Sequence, residues 1–251
     1  MNKFFIPKEN IEGNNAVIKG EDVKHIYKVL RLQKGDNIYI NDCSGNEYLG
    51  EIKSIGKDAV SAVLINKLDI NNESSLKIYL YQGLPKASKM DFIVQKSVEV
   101  GVTEITPVIT ERVIEKSEGG EFKKTDRWNR IALEACKQCK RSIIPKIKSP
   151  VCFSDLLDQI QNMDLTVVPY ENENGFGIKK MIKSLNKETI HKAAVIIGPE
   201  GGFEEKEIAL LKRKGAYIVT LGPRILRTET AGLAASCILM YELGDMGGME
   251  T

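Results

Sequence analysis

Histidine is nearly missing from this chain: His25 and His191 are the only two in 251 residues. Cysteine is sparse and odd in number, with Cys43, Cys136, Cys139, Cys152 and Cys237. The pair in "CKQC" (136–139) has no second pair to match it, and two histidines cannot complete a tetrahedral zinc site. No metal is expected, and i, i+3 spacing on a helix makes structural thiols the simpler reading of that motif. An odd count in a chain too long to need staples argues against a disulfide framework and for reduced cytosolic thiols. The start, "MNKFFIPKEN", lacks an apolar signal region, and no apolar run approaches the length of a membrane span. A soluble cytoplasmic protein is the expectation. An excess of charge is missing too: 36 Lys and Arg face 34 Asp and Glu, a net charge of +2. That balance excludes neither a nucleic acid nor a small molecule, so charge has to be read locally.

What is present divides the chain in two. "NAVIKG", "DNIYIND", "EYLGEIKSI" and "DAVSAVLIN" are short runs rich in Val, Ile and Tyr, separated by turn-forming "CSGNE" and "SIGKD". One helix is predicted among them, "EDVKHIYKVLRL", with Val23, Ile26, Tyr27 and Leu30 at helical spacing. These predict a small β-barrel-like domain over residues 1–72, ending in the polar linker "LDINNESS" (68–75). From there the rhythm alternates. Strand-like "LKIYLYQGL", "EITPVIT", "LTVVPY", "KAAVIIGP" and "AYIVTLG" are interleaved with helical "KMDFIVQKSVEVGV", "TDRWNRIALEACKQCKR", a short helix, "EEKEIALLKRKG" and a last helix from Glu229. Alternation of this kind predicts an α/β domain over residues 73–251 with a mostly parallel sheet.

In such a sheet, ligands sit beyond the carboxyl ends of the strands. Three strand ends carry unusual residues: "VVPYENENG" (167–175), "IIGPEGGF" (196–203) and "LGPRILRTETA" (221–231). Any one Gly-Pro bend reads as a tight turn; two in neighbouring units point to a ligand site. The candidates are Pro169, Tyr170 and Glu171 from the first loop. Ile197, Gly198, Pro199, Gly201 and Gly202 come from the second, and Leu221, Gly222, Ile225, Leu226, Thr228 and Ala231 from the third. A phosphate loop is disfavoured, since there is no G-x-x-x-x-G-K-[ST] and Glu200 repels phosphate; no G-x-G-x-x-G occurs either. The apolar neighbours Ile196, Ile197, Leu221, Ile225 and Leu226, with exposed backbone groups, suit an adenine ring. Glu200 and Glu229 tolerate a cationic ligand better than an anionic one. A nucleoside-like cofactor without phosphates is the reading from pattern alone.

At these residues the sequence resembles the ribosomal RNA small-subunit methyltransferase E family, of the SPOUT superfamily. The matching stretches are "HIYKVLRL" (25–32), "QKSVEVGVTEITPVITERV" (95–113), "EACKQCKRSIIPKI" (134–147), "IIGPEGGFEEKEI" (196–208) and "LGPRILRTETA" (221–231). The resemblance implies an N-terminal PUA-like barrel that binds RNA, and a C-terminal α/β SPOUT domain tucked through a deep trefoil knot. It also implies S-adenosylmethionine as cofactor, a homodimer, and methylation of N3 of one uridine in 16S rRNA of the small ribosomal subunit. Members often begin with an arginine-rich stretch; here Lys3 is the only early cation.

Under that resemblance the residues take roles. Arg227, permanently charged and in a cofactor loop, is the first candidate to stabilise a forming imidate, with satisfaction of loop carbonyls as its plainer role. Glu229 and Glu200 are candidate bases, and each also sits where a helix start favours an acid, Glu229 with Thr228 ahead as a cap. Arg141 matches a family motif and is a candidate to reach the target phosphate or base. A basic stretch with few acids (Arg127, Arg130, Lys137, Lys140, Arg141, Lys146, Lys148), with Trp128 inside it, reads either as a solvated face or as a phosphate-binding surface. Lys24, His25, Lys28 and Arg31 are further candidates for the RNA backbone. The last helix, "TAGLAASCILMYEL", is apolar or small nearly all round, as a dimer interface or a buried helix requires. Three rivals remain: a methyltransferase acting on another RNA such as tRNA, a non-catalytic RNA-binding module of ribosome assembly, and a phosphate-loop protein.

Overall fold

A computed structural model describes residues 2–86, 89–113 and 121–248. Contacts divide it into two compact units. The first runs up to Glu73 and takes in Cys136–Ile144 as well, a segment that a single cut at residue 72 leaves with the second half.

In the first unit, β1 (Lys3–Phe5), β2 (Ile11–Glu12) and β3 (Asn15–Lys19) precede α1 (Glu21–Lys24), which continues as a π-helical turn over His25–Val29. β4 (Asn37–Asn41), β5 (Glu47–Ile55) and β6 (Ala59–Leu68) follow. They form one sheet in the order β1-β4-β5-β6-β3-β2. Only the β1–β4 pairing is parallel. Inward residues of β1, β3, β4, β5 and β6, among them Phe4, Ile18, Ile38, Ile40, Ile52, Val60 and Leu64, share one core with Val23 and Ile26. Strands that bury one face in a single cluster must curl around it, and two irregularities in the β5–β6 register supply the bend. No pairing joins the end strands β1 and β2 among the described residues, so hydrogen bonds do not close a barrel there. The four runs of Val, Ile and Tyr appear as β3 to β6. The short end strands gave no signal, because β1 pairs only with β4, far along the chain. The predicted helix stops early: Leu30 N–H reaches back to His25 at 2.9 Å, Arg31 takes a left-handed φ of 53°, and Tyr27, expected on the buried face, is 63% exposed.

The 68–75 linker is anchored. Glu73 accepts the amides of Ser142 and Ile143 at 2.8 and 3.0 Å and pairs with the buried Arg141 guanidinium.

The second unit contains β7 (Lys77–Gly83), α2 (Lys89–Glu99), β8 (Glu104–Ile109) and α3 (Glu121–Cys139), whose last turn counts with the first unit. Then come β9 (Lys146–Ile147), β10 (Val151–Cys152), α4 (Phe153–Gln159), β11 (Leu165–Pro169), α5 (Ile178–Lys183), β12 (Lys192–Ile197), α6 (Glu205–Arg213), β13 (Tyr217–Val219) and α7 (Thr228–Leu243). The sheet runs β10-β8-β7-β12-β11-β13, with β9 beside β8, and every pairing is parallel. Continuous apolar strands such as β12, buried from Ala193 to Ile197, are what a sheet covered on both faces demands. β11, β12 and β13 are neighbours in the sheet, so their carboxyl ends and following loops lie along one edge.

Candidate functional site

At that edge the three loops enclose a cavity of about 610 Å³, in the range of small-molecule sites. Pro169, Tyr170 and Glu171 line it after β11; Ile197, Gly198, Pro199, Glu200 and Gly202 after β12. Leu221, Gly222, Ile225, Leu226, Arg227, Thr228 and Ala231 line it after β13. The structure therefore brings together nearly every loop residue singled out by pattern. Two do not belong. Gly201 faces away, where its carbonyl accepts Arg112 Nη1 at 2.8 Å. Ile196 alternates into the core, 1% exposed.

The glycine loop is shaped by close approach. The Gly202 amide donates to Pro199 carbonyl at 2.9 Å, closing a turn, and Gly202 has φ of +70°, which favours glycine. A Cβ on Gly83 would stand 2.5 Å from the Pro199 nitrogen and 2.7 Å from its Cδ, so β7 must end in glycine for the loop to cross it. Phe203, 2% exposed, anchors the loop's far end in the core.

The loops are also tied to one another. Gln82 Nε2 donates to Thr228 Oγ1 at 2.8 Å, and that hydroxyl donates to Gly198 carbonyl at 2.6 Å. Gln82 is fully buried and Thr228 is 7% exposed. Thr228 thus joins the ends of β7 and β12 to the start of α7. It does not cap that helix: Arg227 is the N-cap residue and makes no side-chain cap bond.

The reading of Glu200 as a helix-start acid is corrected as well. α6 begins at Glu205, capped by Glu204 in a reciprocal box with Glu207. Glu200 instead accepts the Lys86 amide at 3.1 Å and the Lys89 ammonium at 3.0 Å. Burial works to raise its pKa, but these donors outweigh it and hold the carboxyl below the ordinary glutamate value. Lys89 Nζ also lies 3.3 Å from Glu229 Oε2, an ion pair slightly longer than that to Glu200, and that buried oxygen has no hydrogen-bond partner among the described residues. The Glu200 hydrogen bond, with the Glu229 contact beside it, raises the Lys89 pKa and holds the ammonium charged.

Lys89 was invisible to pattern. It lies in the first turn of α2, where a cation opposes the helix dipole, and that misplacement was the one available signal. Arg224 also lines the cavity, and Arg224 and Arg227 are both exposed with no carboxylate partner among the described residues. The lining carries Lys89, Arg224 and Arg227 against Glu171 and Glu200, three cations and two anions, and Glu229, outside the lining, meets the Lys89 ammonium. Two carboxylates in the lining and a third on Lys89 disfavour a polyphosphate, and the apolar loops between them fit a nucleoside whose other end carries positive charge.

Arg141 does not line this cavity; it is 5% exposed and spent on Glu73. The basic stretch around it is largely neutralised by acids distant in sequence. Arg127 pairs with Asp91, Lys137 with Asp22 at 3.1 Å, and Lys148 with Glu104 at 3.4 Å. Arg130 and Lys140 are exposed without a carboxylate partner among the described residues. Trp128 and Cys136 are core residues, and burial pushes the Cys136 thiol up to about 12. Lys24, His25, Lys28 and Arg31 are all exposed along the π-helical segment, interleaved with exposed Tyr27 and Val29.

Comparison with known proteins gives the family. Residues 72–240 match the RNA methyltransferase domain model, and residues 18–65 match the RNA methyltransferase PUA domain model. The chain is 36% identical to the ribosomal RNA small subunit methyltransferase E of Bacillus subtilis over 250 residues, covering 96% of this chain and 97% of that one. The protein of that name from Aquifex aeolicus is 34% identical, covering 92% of this chain and 96% of the other. Among solved structures, the Neisseria gonorrhoeae ribosomal RNA small subunit methyltransferase E bound to S-adenosyl methionine superposes with a TM-score of 0.84 at 31% identity. That match covers 97% of this chain and 98% of the other.

Proposed function

The chain belongs to the ribosomal RNA small subunit methyltransferase E family of RNA methyltransferases, and from that premise we propose that it methylates N3 of one uridine in 16S rRNA. The observation that carries this reading is the single cavity formed by the loops after β11, β12 and β13, whose lining suits a cationic nucleoside. S-adenosylmethionine is the cofactor held there, and it supplies a methyl group on positively charged sulfur. Ile197, Leu221, Leu226 and Pro169 would hold the adenine in an apolar slot, with backbone groups of the Gly198 and Gly222 turns available to its edge.

The departing thioether is neutral, so no leaving-group acid is needed. The protein has to place the uracil and relieve N3 of its proton. Glu229 and Glu200 are the carboxylates available as acceptors. Arg227, exposed and without a carboxylate partner among the described residues, is free to meet a phosphate or the charge that develops on the base. Residues 1–72 form the RNA-gripping domain, with Lys24, His25, Lys28 and Arg31 on the backbone, and Arg130 and Lys140 add further phosphate contacts. The α/β domain of residues 73–251 is tucked into a deep trefoil knot. It pairs as a homodimer through α7, on which Tyr241 is 67% exposed. The enzyme works in the cytoplasm, on the small subunit's RNA.

The test is mass spectrometry of 16S rRNA from cells lacking the protein. Loss of one N3-methyluridine, restored by the wild-type chain, is expected. An unchanged modification profile refutes the assignment.

A further inference from the structure

We infer that Lys89 is a catalytic residue: its ammonium, seated between Glu200 and Glu229, stabilises the uracil anion while Glu229 takes the proton. The inference deepens the uridine-N3 reading and rests on it. Three features set Lys89 apart from the other cations of the cavity. Of the three lining cations it alone is ion-paired among the described residues, and it touches two carboxylates from different parts of the fold, the loop after β12 and the first turn of α7. It stands on the first turn of α2, a rigid element, whereas both arginines stand on the loop and cap before α7. Its two partners are unequal. Glu200 is held by the Lys86 amide and by Lys89 itself. Glu229 has no backbone donor among the described residues; it meets only the ammonium, at 3.3 Å, and its buried Oε2 has no hydrogen bond.

That inequality assigns the roles. Glu200 keeps its charge and anchors the ammonium. Glu229, with unmet acceptor capacity, is the base. In the step, the N3–H bond of uracil breaks, an O–H bond forms on Glu229, and the electron pair stays on the imide, spread over N3 and its flanking carbonyl oxygens. Neutralised Glu229 no longer attracts Lys89, and the ammonium, still tethered to Glu200, turns to the new anion. A cation released by the very proton transfer it assists costs no reorganisation of solvent. Beside Lys89 and Glu200, the charged groups that line the cavity are Glu171, Arg224 and Arg227; Glu229 is outside the lining, and Lys86 flanks Glu200 from outside.

The test compares the full-length wild type with Lys89→Met, Lys89→Arg and a Lys89→Met, Glu200→Gln double variant. Single-turnover methylation of 16S rRNA is measured from pH 6 to pH 10, and S-adenosylmethionine affinity is measured by calorimetry. Lys89→Met should be about 10²–10³-fold slower at neutral pH with cofactor affinity within about threefold of wild type. Its rate should rise with pH over a range where the wild type is flat, as the imide ionises unaided. Lys89→Arg should recover part of the rate, and the double variant, free of the like-charge clash, should remain slow. A wild-type rate and pH profile in Lys89→Met overturns the inference. So does recovery in the double variant, or a rate loss matched by an equal loss of cofactor affinity. Locating the methyl group on the wild-type product separates this from the underlying reading: a methyl on another atom overturns the uridine-N3 assignment itself and removes the proton transfer described here.

Discussion

Thr228→Val probes whether the cavity walls are one mechanical unit. Valine keeps the shape of threonine and deletes only the hydroxyl. That hydroxyl accepts from Gln82 Nε2 at 2.8 Å and donates to Gly198 carbonyl at 2.6 Å, in a setting where Thr228 is 7% exposed and Gln82 is 0% exposed. Two buried hydrogen bonds of about 1 kcal/mol each are lost. Gln82 Nε2 retains the Gly83 carbonyl at 3.0 Å, so its amide is not orphaned outright and no further penalty is added. The expected loss is about 2 kcal/mol, or a melting temperature lower by about 4–8 °C for a chain of this size. Because the bond to Gly198 fixes one wall of the cavity against another, S-adenosylmethionine should bind about tenfold more weakly, equivalent to about 1.4 kcal/mol. Thr228→Ser keeps the oxygen and loses one methyl, about 0.8 kcal/mol, so it should restore affinity while remaining slightly less stable. Thermal melts followed by circular dichroism, and calorimetric titration of the cofactor, read both quantities. Thr228→Val with stability and affinity within error of wild type would falsify the coupling. A serine variant as weak as valine would show that packing of the methyl group, not the hydroxyl, holds the loops.

Arg141→Ala removes the partner of Glu73 at a site only 5% exposed. It should destabilise the protein by about 3–5 kcal/mol, and methylation per folded molecule should stay near wild type; a well-folded but inactive variant would reinstate Arg141 at the reaction. Arg227→Ala should slow methylation about 10²-fold while cofactor affinity changes little, and equal losses in both would remove its electrostatic role. Asp42 makes a pH prediction. Burial works to raise its pKa, but hydrogen bonds from Asn46 and Ser44 outweigh it and hold the group below its ordinary value. A depressed folded pKa gives stability that is present above the unfolded value and is lost as pH falls through the folded one. Wild type should therefore exceed Asp42→Ala in urea stability near pH 7, the gap should shrink as pH drops below about 4, and a gap independent of pH would refute the carboxylate's part.

The legible part of this molecule was local. Val- and Ile-rich runs of alternating period gave β3 to β6, and mostly apolar runs gave β7, β8, β11 and β12, because a parallel sheet buried on both faces favours them. The three loops were legible for the same reason: each follows a strand whose end the pattern marks. Helix starts were less so. Thr228 and Glu200 look like caps by spacing, yet the hydroxyl is taken by Gly198 and the carboxylate by Lys86 and Lys89, partners that spacing cannot supply. The short strands β1, β2, β9 and β10 carry too few residues for any period to register.

Electrostatics was the least legible level. From 127 to 148 the sequence reads as a run of bare positive charge, but Asp91, Asp22, Glu73 and Glu104 return from elsewhere to meet it. Lys89, which no motif includes, becomes the charged centre of the cavity because β12 lies beside β7 in the sheet, bringing the loop with Glu200 to the start of α2. Residue order alone was enough to specify the longer strands, the three loops and a nucleoside-like reading of the ligand. Which charges survive, which hydroxyl ties the walls and which lysine faces the chemistry depended on strand order, since a charge or a donor acquires its role only from the partner that folding places within about 3 Å of it.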